Sequence, residues 1–205
     1  MISSLAHLTA DDQRSFISNS IGPSRTVALP IVHHAFEHHA LVQPHVVAVE
    51  HAVDGSSLTY DQLDKQANRL AHRLRGQGIR PGHRVCILAR RSVCFIVAVV
   101  AVIKSGAQYV PMDGVTITNW TLEHILRDSK PSAVLVMNEY SHRVSRLPCL
   151  ILEDVIAADE RDNTDARKPE DLSSPTDGIY VIYTSGTTGV PKGVDVRHNG
   201  VSNGG

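Results

Sequence analysis

The sequence is poor in aromatic residues and has no excess of charge. Its 3 Phe, 1 Trp and 5 Tyr make up 4% of 205 residues, so few side chains are available to stack on bases. The 20 Lys and Arg nearly balance the 21 Asp and Glu, which leaves a formal net charge of -1. A near-neutral chain has no summed field that would draw it onto a phosphate backbone or an anionic membrane. We therefore expect neither nucleic acid nor a membrane as a partner.

Cysteine is scarce, and long apolar runs are missing. Cys86, Cys94 and Cys149 are an odd number without the C-x-x-C spacing of a zinc or redox pair. The first residues lack the basic region and apolar run of a signal peptide. The most apolar stretch, residues 93–103, is shorter than the roughly 18 residues of a membrane span. These absences predict a reduced, cytoplasmic protein with a buried helix at 93–103, in which Cys94 is a small core residue rather than a nucleophile.

The periodicity of apolar residues alternates between strand-like and helix-like segments. The clearest helix follows Thr59, which forms a capping-box pattern with Gln62 ahead of an apolar stripe that ends at Leu74. Strands are predicted at 46–50, 85–88, 109–110, 133–137, 150–152 and 179–183, and further helices at 31–41, 93–105 and 122–127. This alternation predicts an α/β fold with a mostly parallel sheet flanked by helices.

Two segments have the composition of connectors. Residues 1–27 are rich in Ser and Asn and contain Gly and Pro, and we predict that they form a linker before a domain that covers residues 28–205. The polar residues 159–177 are predicted to form a loop within that domain. A further helix is predicted from Asn199 onward.

The segment with the most informative chemistry comes after the last predicted strand, where residues 183–194 read YTSGTTGVPKGV. Glycines let backbone N–H groups approach an anion, hydroxyls donate hydrogen bonds to phosphate oxygens, and lysine supplies a positive charge. The segment is not a Walker A loop, because Pro rather than Gly precedes its lysine and Gly comes directly after it. We predict a polyphosphate-binding loop rather than a flexible surface loop. The predicted binding residues are Thr184, Ser185, Gly186, Thr187, Thr188, Gly189 and Lys192.

This loop resembles the phosphate-binding signature of the adenylate-forming superfamily, which includes acyl-CoA synthetases, luciferases and the adenylation domains of nonribosomal peptide synthetases. Two more stretches resemble core motifs of the peptide-synthetase branch: LTYDQLDKQANRLAHRLR at 58–75 and IKSGAQYVPMD at 103–113. In that branch the loop is followed by a His-x-Gly-Val-x-Asn pattern. This sequence has similar residues there: His198, Gly200, Val201 and Asn203. The resemblance covers residues 28–205 and implies the N-terminal part of an adenylation domain.

The resemblance also implies an activity. Hydroxyl residues of the loop and Lys192 would hold the β- and γ-phosphates of ATP while a carboxylate attacks the α-phosphorus, which gives acyl-AMP or aminoacyl-AMP and pyrophosphate. The resemblance also implies Mg²⁺, which would neutralise the negative charge of the phosphates. The implied partners are ATP, a small carboxylate or amino acid, and the condensation and carrier domains of a synthetase, with phosphopantetheine on the carrier.

The sequence departs from the family pattern at two places. After Asp113 it reads GVTITNWTLEHIL, where the family has a proline-rich helix start, so this helix entry is expected to be remodelled. It also stops before the later motifs, including the ribose-binding aspartate and the lid lysine. The catalytic residues are therefore unknown, and a truncated chain is expected. A fragment of an acyl- or aryl-CoA ligase and a non-catalytic product remain as alternatives.

Histidines offer two further hypotheses. His34, Glu37 and His38 spell H-x-x-E-H, the inverted zinc-protease motif, on a predicted helix. Because 12 histidines make chance pairs common and no third ligand is evident, we predict no metal site. His198 lies close after the loop, and both a structural and a catalytic role remain open for it.

Overall fold

The structure is a computed structural model that describes residues 9–20, 28–144, 147–161, 165–185 and 189–202. In these residues the α-helices are α1 (Ala10–Ser20), α2 (Val32–Val42), α3 (Tyr60–Gly76), α4 (Val93–Lys104), α5 (Asn119–Ser129), α6 (Leu152–Arg161) and α7 (His198–Ser202). The strands are β1 (Val47–Glu50), β2 (Ser57–Thr59), β3 (Arg84–Ala89), β4 (Gln108–Asp113), β5 (Ala133–Val136), β6 (Cys149–Ile151), β7 (Gly178–Thr184) and β8 (Lys192–Arg197).

Six of these strands form one sheet in the order β6-β5-β3-β4-β7-β8. Neighbouring strands run parallel except at one edge, where β8 returns antiparallel to β7. β1 and β2 form a separate antiparallel pair. The predicted α/β fold with a mostly parallel sheet is confirmed.

Helices cover both faces of the sheet, because successive residues of a strand point to opposite sides. In β3, Val85 and Ile87 belong to a core that includes residues of α3, α4 and α6. The alternate residues Cys86 and Leu88 pack instead with Leu122 and other residues of α5. Strand β3 therefore has buried apolar residues on both of its faces, as is typical of a central strand in a parallel sheet.

Helix α3 begins with the predicted capping box. Thr59 Oγ1 accepts a hydrogen bond from the backbone N–H of Gln62 at 3.3 Å, and Gln62 Oε1 accepts one from the backbone N–H of Thr59 at 2.9 Å. The apolar stripe that ends at Leu74 is buried, and it includes Leu63 and Leu70. The helix is therefore fixed at its start by polar contacts and along one face by the core.

A buried cation links three helices on the same side of the sheet. The side chain of Lys104, at the end of α4, is 1% exposed. Its Nζ lies 2.9 Å from Glu37 Oε1 on α2, and 2.6 and 2.7 Å from Asp64 Oδ1 and Asn68 Oδ1 on α3. Glu37 also forms an ion pair with Lys168, whose Nζ lies 2.7 Å from Glu37 Oε2. This network satisfies a charge that would otherwise be costly to bury.

Three features differ from the sequence-based expectations or add to them. α6 includes residues 159–161, which were predicted as loop, and β8 extends from Lys192, which was assigned to the loop. α1 lies inside the predicted linker 1–27, and its residues 10–19 are exposed. The boundary at residue 28 stays a prediction. Among the described residues, none of the helices is long and apolar enough to cross a membrane.

Candidate functional site: the loop between β7 and β8

The predicted polyphosphate-binding loop connects the two strands of an antiparallel hairpin. Thr184, the last residue of β7, pairs directly with Lys192, the first residue of β8. Paired residues of antiparallel strands project from the same face, so a hydroxyl and an ammonium group stand side by side where the loop begins and ends. Thr184, Ser185, Gly189 and Lys192 are all exposed. Gly186, Thr187 and Thr188 lie outside the described residues.

The two faces of the hairpin have different surroundings. On the face of Thr184 and Lys192, the preceding pair of Ile182 and Val194 is 40% and 48% exposed. On the opposite face, Val181 is 5% exposed and packs in the core that contains α5. The face that carries Thr184 and Lys192 is therefore open to solvent, whereas the other face is fixed to the domain.

Helix α5 holds the hairpin on both sides of the loop. Before the loop, Tyr183 donates its hydroxyl hydrogen to Asp128 Oδ2 at 2.5 Å, and burial together with this carboxylate raises the pKa of Tyr183. At the end of the loop, the ring Nε2 of His124 donates to the carbonyl oxygen of Pro191 at 2.9 Å. Trp120 stacks on the His124 ring with centroids 5.7 Å apart. One helix thus positions both ends of the loop.

Local structure explains why glycine occupies two positions in and after the loop, for a different reason at each. Gly189 has a φ of +80°, a left-handed conformation that favours glycine within the loop. At Gly193, an added Cβ would lie 3.1 Å from the ring of Tyr183 and 3.1 Å from Val181. The glycine after Lys192 therefore leaves room for the tyrosine that bonds to α5.

The charges near the loop favour an anion. Within the described part of the chain, Lys192 makes no ion pair. The nearby carboxylate of Asp195 accepts a hydrogen bond from Gln108 Nε2 at 2.9 Å and lies 3.8 Å from Arg84. An exposed ammonium beside two hydroxyl residues can attract phosphate oxygens.

The H-x-x-E-H motif does not form one site. Glu37 is bonded to two lysines, Lys104 and Lys168. Burial opposes ionisation of Glu37, but the two lysines outweigh it and lower the pKa of its carboxyl group. His34 instead contacts Asp171, and His38 does not belong to the group of potential ligands around it.

His198 has a structural role. It is 2% exposed, and its Nδ1 accepts a hydrogen bond of 3.2 Å from the backbone N–H of Val32, the first residue of α2. The first N–H groups of a helix have no partner within the helix, so this ring caps α2. Burial lowers the pKa of His198, which favours the neutral ring that can accept this bond.

Sequence reasoning did not identify His124 or Asp128 as residues of the site. Both lie in the helix whose entry departs from the family pattern, and their contacts join positions 67 and 55 residues apart. A signal was present in the four-residue spacing from Trp120 to His124 and from His124 to Asp128, which places these side chains on one face of a helix.

The chain is similar to large enzymes. Residues 36–204 match the AMP-binding enzyme family. Adenylate-forming reductase 06235 of Coprinopsis cinerea is 41% identical over 97% of this chain and 19% of that protein. N-(5-amino-5-carboxypentanoyl)-L-cysteinyl-D-valine synthase of Penicillium rubens is 38% identical over 84% of this chain and 5% of that protein. The chain thus spans no more than a fifth of these curated relatives.

A solved structure agrees in fold. A nonribosomal peptide synthetase, FmoA3, in its α-methyl-L-serine-AMP bound form superposes with a TM-score of 0.79 and 25% identity, over 93% of this chain and 20% of that one. The family match spans the capping-box helix, the sheet and the β7–β8 hairpin, and it confirms the resemblance first seen in the loop. The chain belongs to the AMP-binding enzyme family.

Proposed function

We propose that this chain is the part of an ATP-dependent carboxylate-activating enzyme that binds the polyphosphate of the nucleotide. The enzyme would join a carboxylate to AMP and release pyrophosphate. The observation that carries the proposal is the hairpin, which pairs Thr184 with Lys192 on an exposed face at the two ends of a glycine- and hydroxyl-rich loop. These donors suit phosphate oxygens, which carry several negative charges.

The residues of the loop fit a triphosphate with its divalent cation. Thr184 and Ser185 provide hydroxyl donors, and Lys192 provides a cation. By the family resemblance, Thr187 and Thr188 would add two more hydroxyl donors, and Mg²⁺ would neutralise phosphate charge when bound. The chain's own contribution is to bind and orient the β- and γ-phosphates, while α5 holds the loop in position through His124.

Two kinds of relatives differ in the step after activation. The Penicillium rubens relative is named as a synthase, so amino acids, carrier domains with phosphopantetheine and condensation domains are the proposed partners for a protein of that type. The Coprinopsis cinerea relatives are named adenylate-forming reductases, and one of them matches 97% of this chain at 41% identity. Reduction of the activated carboxylate is therefore a second candidate for the whole protein. Both candidates for the whole protein would begin with adenylation of a carboxylate.

The direct test is pyrophosphate binding by the 205-residue chain, measured by calorimetry in the presence of Mg²⁺. A hydrogen bond to a charged group contributes about 1.5–3 kcal/mol, so Lys192→Ala should weaken binding about 10- to 150-fold. Thr187→Val and Thr188→Val remove neutral donors and should each have a smaller effect.

The matched control is Lys65→Ala, which removes an exposed lysine from α3. This variant should bind pyrophosphate like the original chain. Equal binding by Lys192→Ala and Lys65→Ala would contradict the assignment of the loop. The same substitutions in a protein that contains the whole adenylation domain should lower adenylate formation in the same order, and His38→Ala should leave it nearly unchanged.

A further inference from the structure

Three side chains outside the β7–β8 loop converge at the start of α2. His33 and His34 are consecutive on that helix, and Asp171 comes from the segment between α6 and β7. The Nε2 atom of His34 lies 2.5 Å from Asp171 Oδ2, and the Nε2 atom of His33 lies 3.7 Å from Asp171 Oδ1. One ligand atom from each residue lies within 4.8 Å of the other two. Two imidazoles and a carboxylate are thus gathered around one point.

The ring of His33 is buried, and neither of its nitrogens is given a hydrogen bond by the described residues. Its side chain is 4% exposed, and its Nδ1 is buried without a hydrogen-bond partner in the described part of the chain. Its Nε2 faces Asp171 at a distance too long for a hydrogen bond. Buried polar groups are nearly always satisfied, so this ring lacks partners that a buried imidazole normally has. An ion bound at Nε2, the nitrogen that faces Asp171, would give the ring one partner and would leave Nδ1 as it is.

We propose that His33, His34 and Asp171 bind a divalent transition-metal ion of the zinc type. Zinc bonds to histidine nitrogen at about 2.0–2.1 Å and to carboxylate oxygen at about 2.0–2.2 Å. In a tetrahedral site, such bonds place neighbouring ligand atoms about 3.3 Å apart. The nitrogen–oxygen distances of 2.5 and 3.7 Å lie on either side of this value, but they run to different oxygens of Asp171. One ligand atom from each residue lies within 4.8 Å of the others, so shifts of up to about 1.5 Å would form the site.

The surroundings orient the ligands and leave access for an ion. The backbone N–H of Ser173 donates to Asp171 Oδ1 at 2.9 Å, which fixes the carboxylate. His34 and Asp171 are 28% and 27% exposed, and His34 also lines a groove of about 490 Å³. Three protein ligands leave a fourth position for water. A bound ion would tie α2 to the segment that leads into β7.

This site is different from the one that the sequence motif suggests. Of the H-x-x-E-H motif it uses only His34. Glu37 forms ion pairs with two lysines, and His38 is not among the ligands. Its other two ligands are a neighbour on the helix and an aspartate 137 residues away. The expectation of no metal site rested on the frequency of chance histidine pairs and on the lack of a third ligand for the motif. Asp171 is instead a third ligand for the pair His33 and His34.

The test is zinc titration of the chelator-treated 205-residue chain by calorimetry, together with Co²⁺ absorption to report the ligand geometry. We expect one equivalent of tight binding. Asp171→Asn and His34→Gln should each weaken it at least about tenfold. His38→Gln and His39→Gln, on the same helix, are the matched controls and should bind like the original chain.

A second readout separates metal binding from misfolding. Circular dichroism should show the same helix content in Asp171→Asn as in the original chain. Zinc should raise the unfolding midpoint of the original chain and of His38→Gln but not that of Asp171→Asn. Absence of a saturable site, or equal loss of binding in His38→Gln and Asp171→Asn, would overturn the proposal and identify the contact as a hydrogen bond with adventitious zinc on surface histidines.

Discussion

Replacing Lys104 by methionine should destabilise the chain strongly, because it removes a buried cation and leaves two carboxylates facing each other. Methionine keeps a flexible apolar chain of similar length that can still pack beside Phe36, so the change isolates the loss of charge. Glu37 and Asp64, at 13% and 22% side-chain exposure, would lose an ammonium group at 2.9 and 2.6 Å.

The remaining contacts set the size of the effect. Breaking a buried ion pair by removing one partner costs about 3–5 kcal/mol. Glu37 would keep Lys168, and Asp64 would keep a hydrogen bond of 2.9 Å from Asn68 Nδ2. Both carboxylates are also partly solvated, so we expect the low end of that range, about 3 kcal/mol. This is a large share of the roughly 5–15 kcal/mol by which domains are stable.

The assay is urea unfolding followed by circular dichroism. Lys65→Met is the control, because Lys65 makes an exposed ion pair of 2.8 Å with Asp61, four residues earlier on α3. Such pairs contribute about 0.3–0.5 kcal/mol. A loss below about 1 kcal/mol in Lys104→Met at an unchanged urea dependence, or a loss equal to that in Lys65→Met, would refute the argument from burial.

Three further outcomes are expected. The 205-residue chain should not catalyse amino-acid-dependent exchange of pyrophosphate into ATP, since it spans only 19% and 5% of the two relatives described above, and activity above background would contradict this. His124→Ala should weaken pyrophosphate binding, since Pro191 loses its bond to α5, and His124→Gln should restore part of it; calorimetry that finds both variants unchanged would argue against a positioning role. In the folded chain a thiol reagent should modify Cys149 before Cys86, because burial raises the pKa of Cys86 to about 12, and mass spectrometry that finds Cys86 modified first would disprove the assignment.

The sequence predicted those elements whose local pattern and tertiary environment agree. Helix α3 has a capping box and an apolar stripe in the right phase, and the structure uses both. Strand β3 is a short apolar run, and it becomes the strand that is buried on both faces. In such cases the residues needed to recognise the element lie within about two turns or one strand of each other.

The elements that were missed depend on contacts between distant residues. α6 comes directly after β6, and no turn signal separates the two elements. Its buried residues are Leu152 and Val155, and the later part of the helix contains acidic residues that are typical of a loop. β8 is an exposed edge strand, so its residues lack the apolar run of an inner strand, and pairing with β7 makes it a strand.

In the candidate site, too, local features could be predicted from the sequence and contacts between distant residues could not. The types of residue in the loop were readable because they are consecutive, whereas the positions of Thr184 and Lys192 relative to each other come from strand pairing. The contact of His124 with Pro191 and that of His34 with Asp171 span 67 and 137 residues. A local motif has no means of indicating them.

The cap that His198 places on α2 has a consequence for synthesis. The bonded groups, Val32 N–H and His198 Nδ1, are 166 residues apart, and the hydroxyl of Ser202 reaches back to the carbonyl of Pro30 as well. At about 5–20 residues per second, a ribosome adds His198 roughly 8 to 33 s after Val32. During that interval α2 lacks its cap, and the β7–β8 hairpin is made before the cap arrives. A nascent chain with a capped α2 has therefore already made the loop between β7 and β8.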